Sequence, residues 1–260
     1  MENYKAIKTK KMLTMKGRRK VSNIIYNVFM IILCLVLVFP IIWTICSSFK
    51  GMRQIYTETP TNLIPDPFTL ENYERIFMFL PMGQMVLTGL LYATVIPCLS
   101  MIVASLAAFA LARLKFKGSN IVFLLLISTV LGGNGVCLFL FRQYFLSIPR
   151  DLENAAIIDG CSWPGVFFRI ILPNSKPVLA TVAILTFRST WNSYLWPSLV
   201  LQSDKLWTWT LGLKILSDWE MSQAVLMAGA VISILPILII YVIFQKYFTN
   251  SQVGSGFAGT

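Results

Sequence analysis

The chain has 260 residues, 56% hydrophobic and only 13% charged, with a formal net charge of +11 and no histidine. A soluble domain is about 25% charged, so this chain lacks the polar surface to coat a globule, and a bilayer is its natural solvent. The absence of histidine excludes His-based proteolysis and His-ligated metal sites.

The positive charge gathers at the start. Lys5, Lys8, Lys10, Lys11, Lys16, Arg18, Arg19 and Lys20 precede the first apolar run, with Glu2 the only acid among them. A basic run can be a nucleic-acid arm. Here it abuts a long apolar segment and is expected to be a cytoplasmic flank under the positive-inside rule, with no nucleic-acid partner. Residues 1–22 are assigned to this tail and residues 23–260 to a single transmembrane domain. The apolar stretch Ile24–Cys46 exceeds the roughly 7–15 residues of a signal-peptide core, so an uncleaved anchor is expected.

Five apolar segments follow, at about Asn23–Ser47, Met85–Ala112, Asn120–Phe141, Pro177–Leu201 and Ala224–Phe248. Four have the roughly 20 residues that span hydrocarbon as helix. The fold class expected is an all-α, polytopic helical membrane protein. The five cysteines, Cys34, Cys46, Cys98, Cys137 and Cys161, have no paired spacing, so neither a disulfide framework nor a metal site is expected. No apolar segment contains Asp or Glu, which argues against the carboxylate relay of a proton-coupled carrier.

The loops alternate in character. Lys50–Gln84 and Gln202–Ser222 are charge-balanced, and the second carries Trp207, Trp209 and Trp219. Arg113, Lys115 and Lys117 form a short basic loop, and Arg142–Lys176 adds Arg150 and Arg169. Basic loops belong inside and balanced ones outside. That creates a conflict, because roughly 24 residues separate Lys117 from Arg142 and two crossings need about 40. The Gly132-Gly133-Asn134-Gly135 cluster lies midway and breaks any helix there. A re-entrant hairpin or a truncated helix pair would reconcile the signs, and the sequence leaves the choice open.

Between the third and fourth segments stands Glu153-Asn154-Ala155-Ala156-Ile157-Ile158-Asp159-Gly160, followed by Ile170-Ile171-Leu172-Pro173. The residues predict a short amphipathic helix, a turn in which Gly160 takes positive φ, and a second helix ended by Pro173. By themselves they fit an ordinary helical connector.

The same segment resembles the cytoplasmic EAA coupling loop of ABC-importer permeases. Ala155, Ala156, Gly160, Ile170, Leu172 and Pro173 match its spacing. The stretches Phe141–Arg150, Thr190-Trp191-Asn192, Phe39-Pro40, Ser47–Lys50 and Leu70-Glu71-Asn72-Tyr73 are similar to the maltose-type, multiple-sugar branch. Two departures stand out: Asn154 occupies the position of the motif's glutamate, and five segments replace the family's six spans.

The resemblance implies a permease subunit forming half of a carbohydrate pathway in the cell membrane, with its N-terminus cytoplasmic. It implies a second permease subunit, two ATPase subunits and an extracellular solute-binding protein as partners. It implies no cofactor and no enzymatic activity of the chain itself, which lacks a nucleotide-binding loop. Glu153, Asn154, Ala155, Ala156, Asp159, Gly160, Ile170, Leu172 and Pro173 would form the ATPase-coupling site. Arg150 and Arg169 would meet either acidic groups of the ATPase or lipid headgroups, and the tail Thr249–Thr260 is similar to one that reaches toward the ATPase. A shortened, inactive copy and an importer of another small solute are the alternatives. In the fourth segment Arg188 and Asn192 share a helix face, with Trp191 adjacent. Together they are candidates for the translocation path, or alternatively for a contact with the second permease.

Overall fold

A computed structural model describes residues 2–57, 62–114, 118–128, 134–219 and 221–247, with side chains described for all of these except 2–21, 57, 127, 128 and 134. Lys115, Lys117, Gly132, Gly133 and the tail Thr249–Thr260 fall outside that set. Twelve helical elements are named here: α1 (Glu2–Ser48), α2 (Met52–Thr57), α3 (Glu71–Phe79), α4 (Met82–Arg113), α5 (Ser119–Ser128), α6 (Asn134–Ser147), α7 (Arg150–Ile158), α8 (Trp163–Asn174), α9 (Lys176–Trp191), α10 (Leu195–Val200), α11 (Trp209–Asp218) and α12 (Gln223–Phe244). The only β pairing among the described residues is the isolated bridge Lys50–Phe68. Two compact units emerge, Met1–Tyr73 with Ser222–Val231, and Glu74–Met221 with Ile232–Thr260.

In the first unit, α1 is one continuous helix whose apolar portion, Ser22–Ser48, is long enough to span a bilayer, and none of its most apolar window is buried within the chain. The chain then reverses. The Asn72 amide donates to the carbonyls of Ser48 and Lys50, both at 2.8 Å, and the Tyr73 hydroxyl lies 2.8 Å from Ser48 Oγ. Phe49 stacks on Phe68 at 4.8 Å between centroids. The Leu70–Tyr73 stretch thus satisfies the carbonyls freed where α1 ends, a requirement for buried backbone.

In the second unit, α4 packs mainly against α6 and α9. Ala104, Ala108 and Ala112 recur every four residues on α4 and are all buried. Small side chains at that spacing let a neighbouring helix approach closely, and Phe141 and Phe145 of α6 fill the core there at 0% exposure.

Among the described residues, three helices are long and apolar enough to cross a membrane: Ser22–Ser48 of α1, α4 and α12. A fourth crossing exists if the bent pair α8–α9 is one span. The third apolar segment is not a single helix. It comprises α5, of 10 residues, and α6, of 14 residues. The Arg142 guanidinium lies 4.1 Å from the centroid of the Phe123 ring. Nineteen residues of straight helix would hold those positions about 28 Å apart, so α5 and α6 are antiparallel neighbours. Arg113, at the end of α4, touches the end of α6, so the hairpin starts and finishes at the same end of the unit. A pair of short antiparallel helices that returns to its own starting end fits either remedy for the parity conflict, the re-entrant hairpin or the truncated helix pair.

The fourth segment also differs from expectation. α9 stops at Trp191 and α10 resumes at Leu195, so no single helix covers Pro177–Leu201. Pro173 does not end α8 outright. With no N–H to offer the Arg169 carbonyl, the chain widens into a π turn over Phe167–Ile171, continues to Asn174, and bends by 79° into α9.

In a cysteine-free chain carrying only Phe123→Cys and Arg142→Cys, a short bismaleimide is expected to link the two positions within one molecule. Failure to link, with both thiols reactive, would contradict the hairpin.

Candidate functional site: the α7 knuckle, its buried anchor and a hydroxyl-lined cavity

The segment Arg150–Ile158 is helical for local reasons. Pro149 precedes it, and Asp151 and Glu153 sit in its first turn, where carboxylates favour the helix dipole. It ends in a Schellman motif: Gly160 N–H donates to the Ile157 carbonyl at 3.0 Å and Cys161 N–H to the Ala156 carbonyl at 2.9 Å. Gly160 has φ +85°, the left-handed value the sequence anticipated for it.

The nine residues of α7 bury only Glu153 and Ala156. Asn154, Ala155, Asp159 and Gly160 are exposed. Ile158, which the sequence reading did not single out, is 85% exposed. Glu153 therefore faces inward, away from the surface shared by the other coupling candidates. Ile170 and Leu172 pack partly against the core, whereas Pro173 and Arg169 are exposed.

Glu153 meets Arg113. Arg113 Nε and Glu153 Oε1 are 2.6 Å apart, with side chains 1% and 5% exposed. The N–H does not point at that oxygen, so this is an ion pair without a directed hydrogen bond. Arg113 Nη2 donates to the carbonyls of Phe145, at 2.6 Å, and Ile148, at 2.8 Å. Burial pushes the Glu153 carboxyl above its usual value, and the attraction of Arg113 and Arg150 opposes that rise. Sequence reasoning missed this pair. Arg113 reads as a loop charge, and nothing in the spacing links it to Glu153.

A cavity of about 430 Å³ lies between α4, α6 and α9. Its polar lining includes Tyr92, Ser100, Thr186, Ser189, Thr190 and Ser193, and it contains no carboxylate, guanidinium or ammonium. Thr186, Ser189, Thr190 and Ser193 follow the i, i+3, i+4, i+7 rhythm of one helix face, a signal present in the sequence that went unread. The structure does not bring Arg188, Trp191 and Asn192 together. Trp191 is 2% exposed, packs against Gly89, and donates its indole N–H to the Ser233 carbonyl at 3.1 Å. Arg188 and Asn192 are exposed and outside the cavity lining. Arg188 also sits in the last turn of α9 rather than mid-span, where a cation complements the helix dipole.

Helices long enough to cross a membrane, a surface knuckle of two short helices and an uncharged cavity with hydroxyls in its lining fit a helical transport permease. Residues 12–252 match the binding-protein-dependent transport system inner membrane component family, and the chain belongs to that family, the transmembrane component of ABC importers. It is 33% identical over 256 residues to the arabinooligosaccharides transport system permease protein AraQ of Halalkalibacterium halodurans, covering 85% of this chain and 91% of the relative. It is 32% identical to the AraQ of Bacillus subtilis, covering 95% and 100%, and that alignment runs over 286 positions. Because the alignment is longer than this chain, the relative carries residues missing here. A permease protein of sn-glycerol-3-phosphate transport, UgpE of Brucella abortus, is 28% identical, covering 91% and 98%. The fold is shared with a bacterial ABC transporter that imports alginate, at a TM-score of 0.71 and 22% identity over 88% of this chain and 97% of that one.

Glu153→Ala, which strips the buried Arg113 of its counter-charge, is expected to destabilise the protein by about 3 kcal/mol. Gly160→Ala, forced to keep a positive φ, is expected to cost roughly 1–2 kcal/mol. Thermal unfolding in detergent measures both. A Gly160→Ala variant as stable as wild type would show that the Schellman turn is dispensable.

Proposed function

We propose that the chain is one of two permease subunits of an importer for an uncharged carbohydrate, driven by two separate ATPase subunits and fed by an extracellular solute-binding protein. The observation that carries this reading is the exposed knuckle from Asn154 to Gly160. An isoleucine 85% exposed on a helix that buries only two of its residues suits a surface made to be covered by another protein. Asn154, Ala155, Ile158, Asp159 and Gly160 form the contact with the ATPase. Glu153 and Ala156 hold it from behind, and Ile170 and Leu172 seat the second helix.

The knuckle is assigned to the cytoplasm together with the N-terminus. Arg150, Arg169 and Lys176 fall close to it in the chain and Arg113 close to it in space, and clustered basic residues favour that side. With the hairpin returning to the end of the unit from which it left, the topology needs no misassembly.

The cavity is the proposed contribution to the translocation path. Hydroxyls and an aromatic phenol suit sugar hydroxyls, and the lack of cationic lining disfavours a phosphorylated or carboxylated solute. Arg188 and Asn192 are proposed to face the second permease subunit.

Reconstituted in lipid nanodiscs with its partner subunits, the complex is expected to hydrolyse ATP faster when sugar-loaded binding protein is added. Ile158→Asp is expected to abolish copurification of the ATPase. Retention of the ATPase by that variant would remove α7 from the interface.

A further inference from the structure

We propose that Arg113 is a positioning residue that makes the α7 knuckle move as one body with the ends of α4 and α6. The inference rests on the reading of α7 as the ATPase contact. α7 is tied to the rest of the chain by few inward side chains, since only Glu153 and Ala156 are buried. Ala156 offers one methyl group, which resists compression but not pulling or twisting. Glu153 is the other tether, and its partner belongs to α4.

Arg113 is also the last residue of α4, and Nη2 on the same guanidinium bonds the Phe145 carbonyl in the final turn of α6 and the Ile148 carbonyl just beyond it. The last carbonyls of a helix lack partners within it, so this guanidinium caps α6 while it holds α7. The end of α4 meets the α6–α7 junction, which begins 32 residues further along the chain at Phe145, on one rigid planar group that stays charged at any working pH. The cavity lies between α4, α6 and α9, so two of its three walls end on this junction. A force applied at the knuckle therefore reaches the cavity walls through Arg113. A lysine, with one tetrahedral head, cannot hold the carboxylate and both carbonyls in the same plane.

The test uses the assembled complex in nanodiscs, with ATP and vanadate as the only ligands. Spin labels replace Ser100 on α4 and Ser189 on α9 in a cysteine-free chain, and the distance across the cavity is read by pulsed electron resonance. In the complex carrying wild-type Arg113, vanadate-trapped ATP is expected to shift the distance distribution. Arg113→Gln is expected to keep ATPase assembly and basal hydrolysis, while the fraction of molecules that shift falls by about fivefold or more. Arg113→Lys is expected to recover part of that fraction. Glu153→Gln, which leaves α4 and α6 joined, is expected to show the same uncoupling.

A full shift in Arg113→Gln would overturn the proposal. So would loss of assembly in both Arg113 variants, because the defect would then be one of folding. An unmoved distance in the complex with Arg113 intact would instead count against the permease reading itself.

Discussion

A guanidinium shielded from water must be surrounded by acceptors, and much of the second unit is arranged to supply them. Desolvating an arginine costs several kcal/mol, which Coulomb attraction recovers only with additional hydrogen bonds. Arg113 meets one carboxylate and two helix-terminal carbonyls. The two carbonyls fix where α6 must end, and the carboxylate fixes which face of α7 turns inward. Once Glu153 points inward, the helical rhythm turns Asn154, Ala155 and Ile158 outward. The exposed isoleucine is thus a consequence of the buried ion pair.

The end of α6 fixed in this way also constrains the hairpin. At 1.5 Å per residue, α5 is about 15 Å long and α6 about 21 Å, against a hydrocarbon thickness of about 30 Å. Neither crosses alone. Non-helical backbone at membrane depth is tolerated only when protein or water shields it. The pair packs against α4, whose Ala104, Ala108 and Ala112 leave room for Phe141 and Phe145. The half-buried Arg142 places its charge over the Phe123 ring, an attraction that strengthens as water is removed. Both charged groups of α6's surroundings, Arg113 and Arg142, therefore draw the same short helix back toward the end from which the hairpin started.

The hydropathy of the sequence made α1, α4 and α12 legible, because long apolar runs with no acid have few other solutions. Gly160 was legible too, since a glycine closing a short amphipathic helix has a specific geometric use. The hairpin was legible only as a contradiction: the charges demanded two crossings and the length forbade them. No local feature could choose between the remedies, because the choice depends on the alanine face of α4 and the acceptors around Arg113. The translocation candidates part company for a related reason: Arg188 and Asn192 are exposed and Trp191 is buried. Arg188 attracted notice as an intramembrane charge, yet α9 ends at Trp191, so the charge sits at a helix terminus. The indole was read as a platform, yet its N–H needed an acceptor and found it on α12, which turned the ring into the core.

The hydroxyl face of α9 bears on what the cavity can do. Thr186 donates its proton to the Val182 carbonyl at 2.7 Å, as hydroxyls in apolar helices do. Its oxygen then has only acceptor capacity left for a visitor. A sugar, rich in O–H donors, can satisfy such an acceptor by rotating one hydroxyl, at little cost in orientation. A fixed array of charges would instead hold a ligand in one pose and release it slowly. Passage requires sites good enough to enter and weak enough to leave. Hydroxyls set among apolar side chains, with no charged group in the lining, suit the uncharged, hydroxyl-rich solute proposed for this cavity.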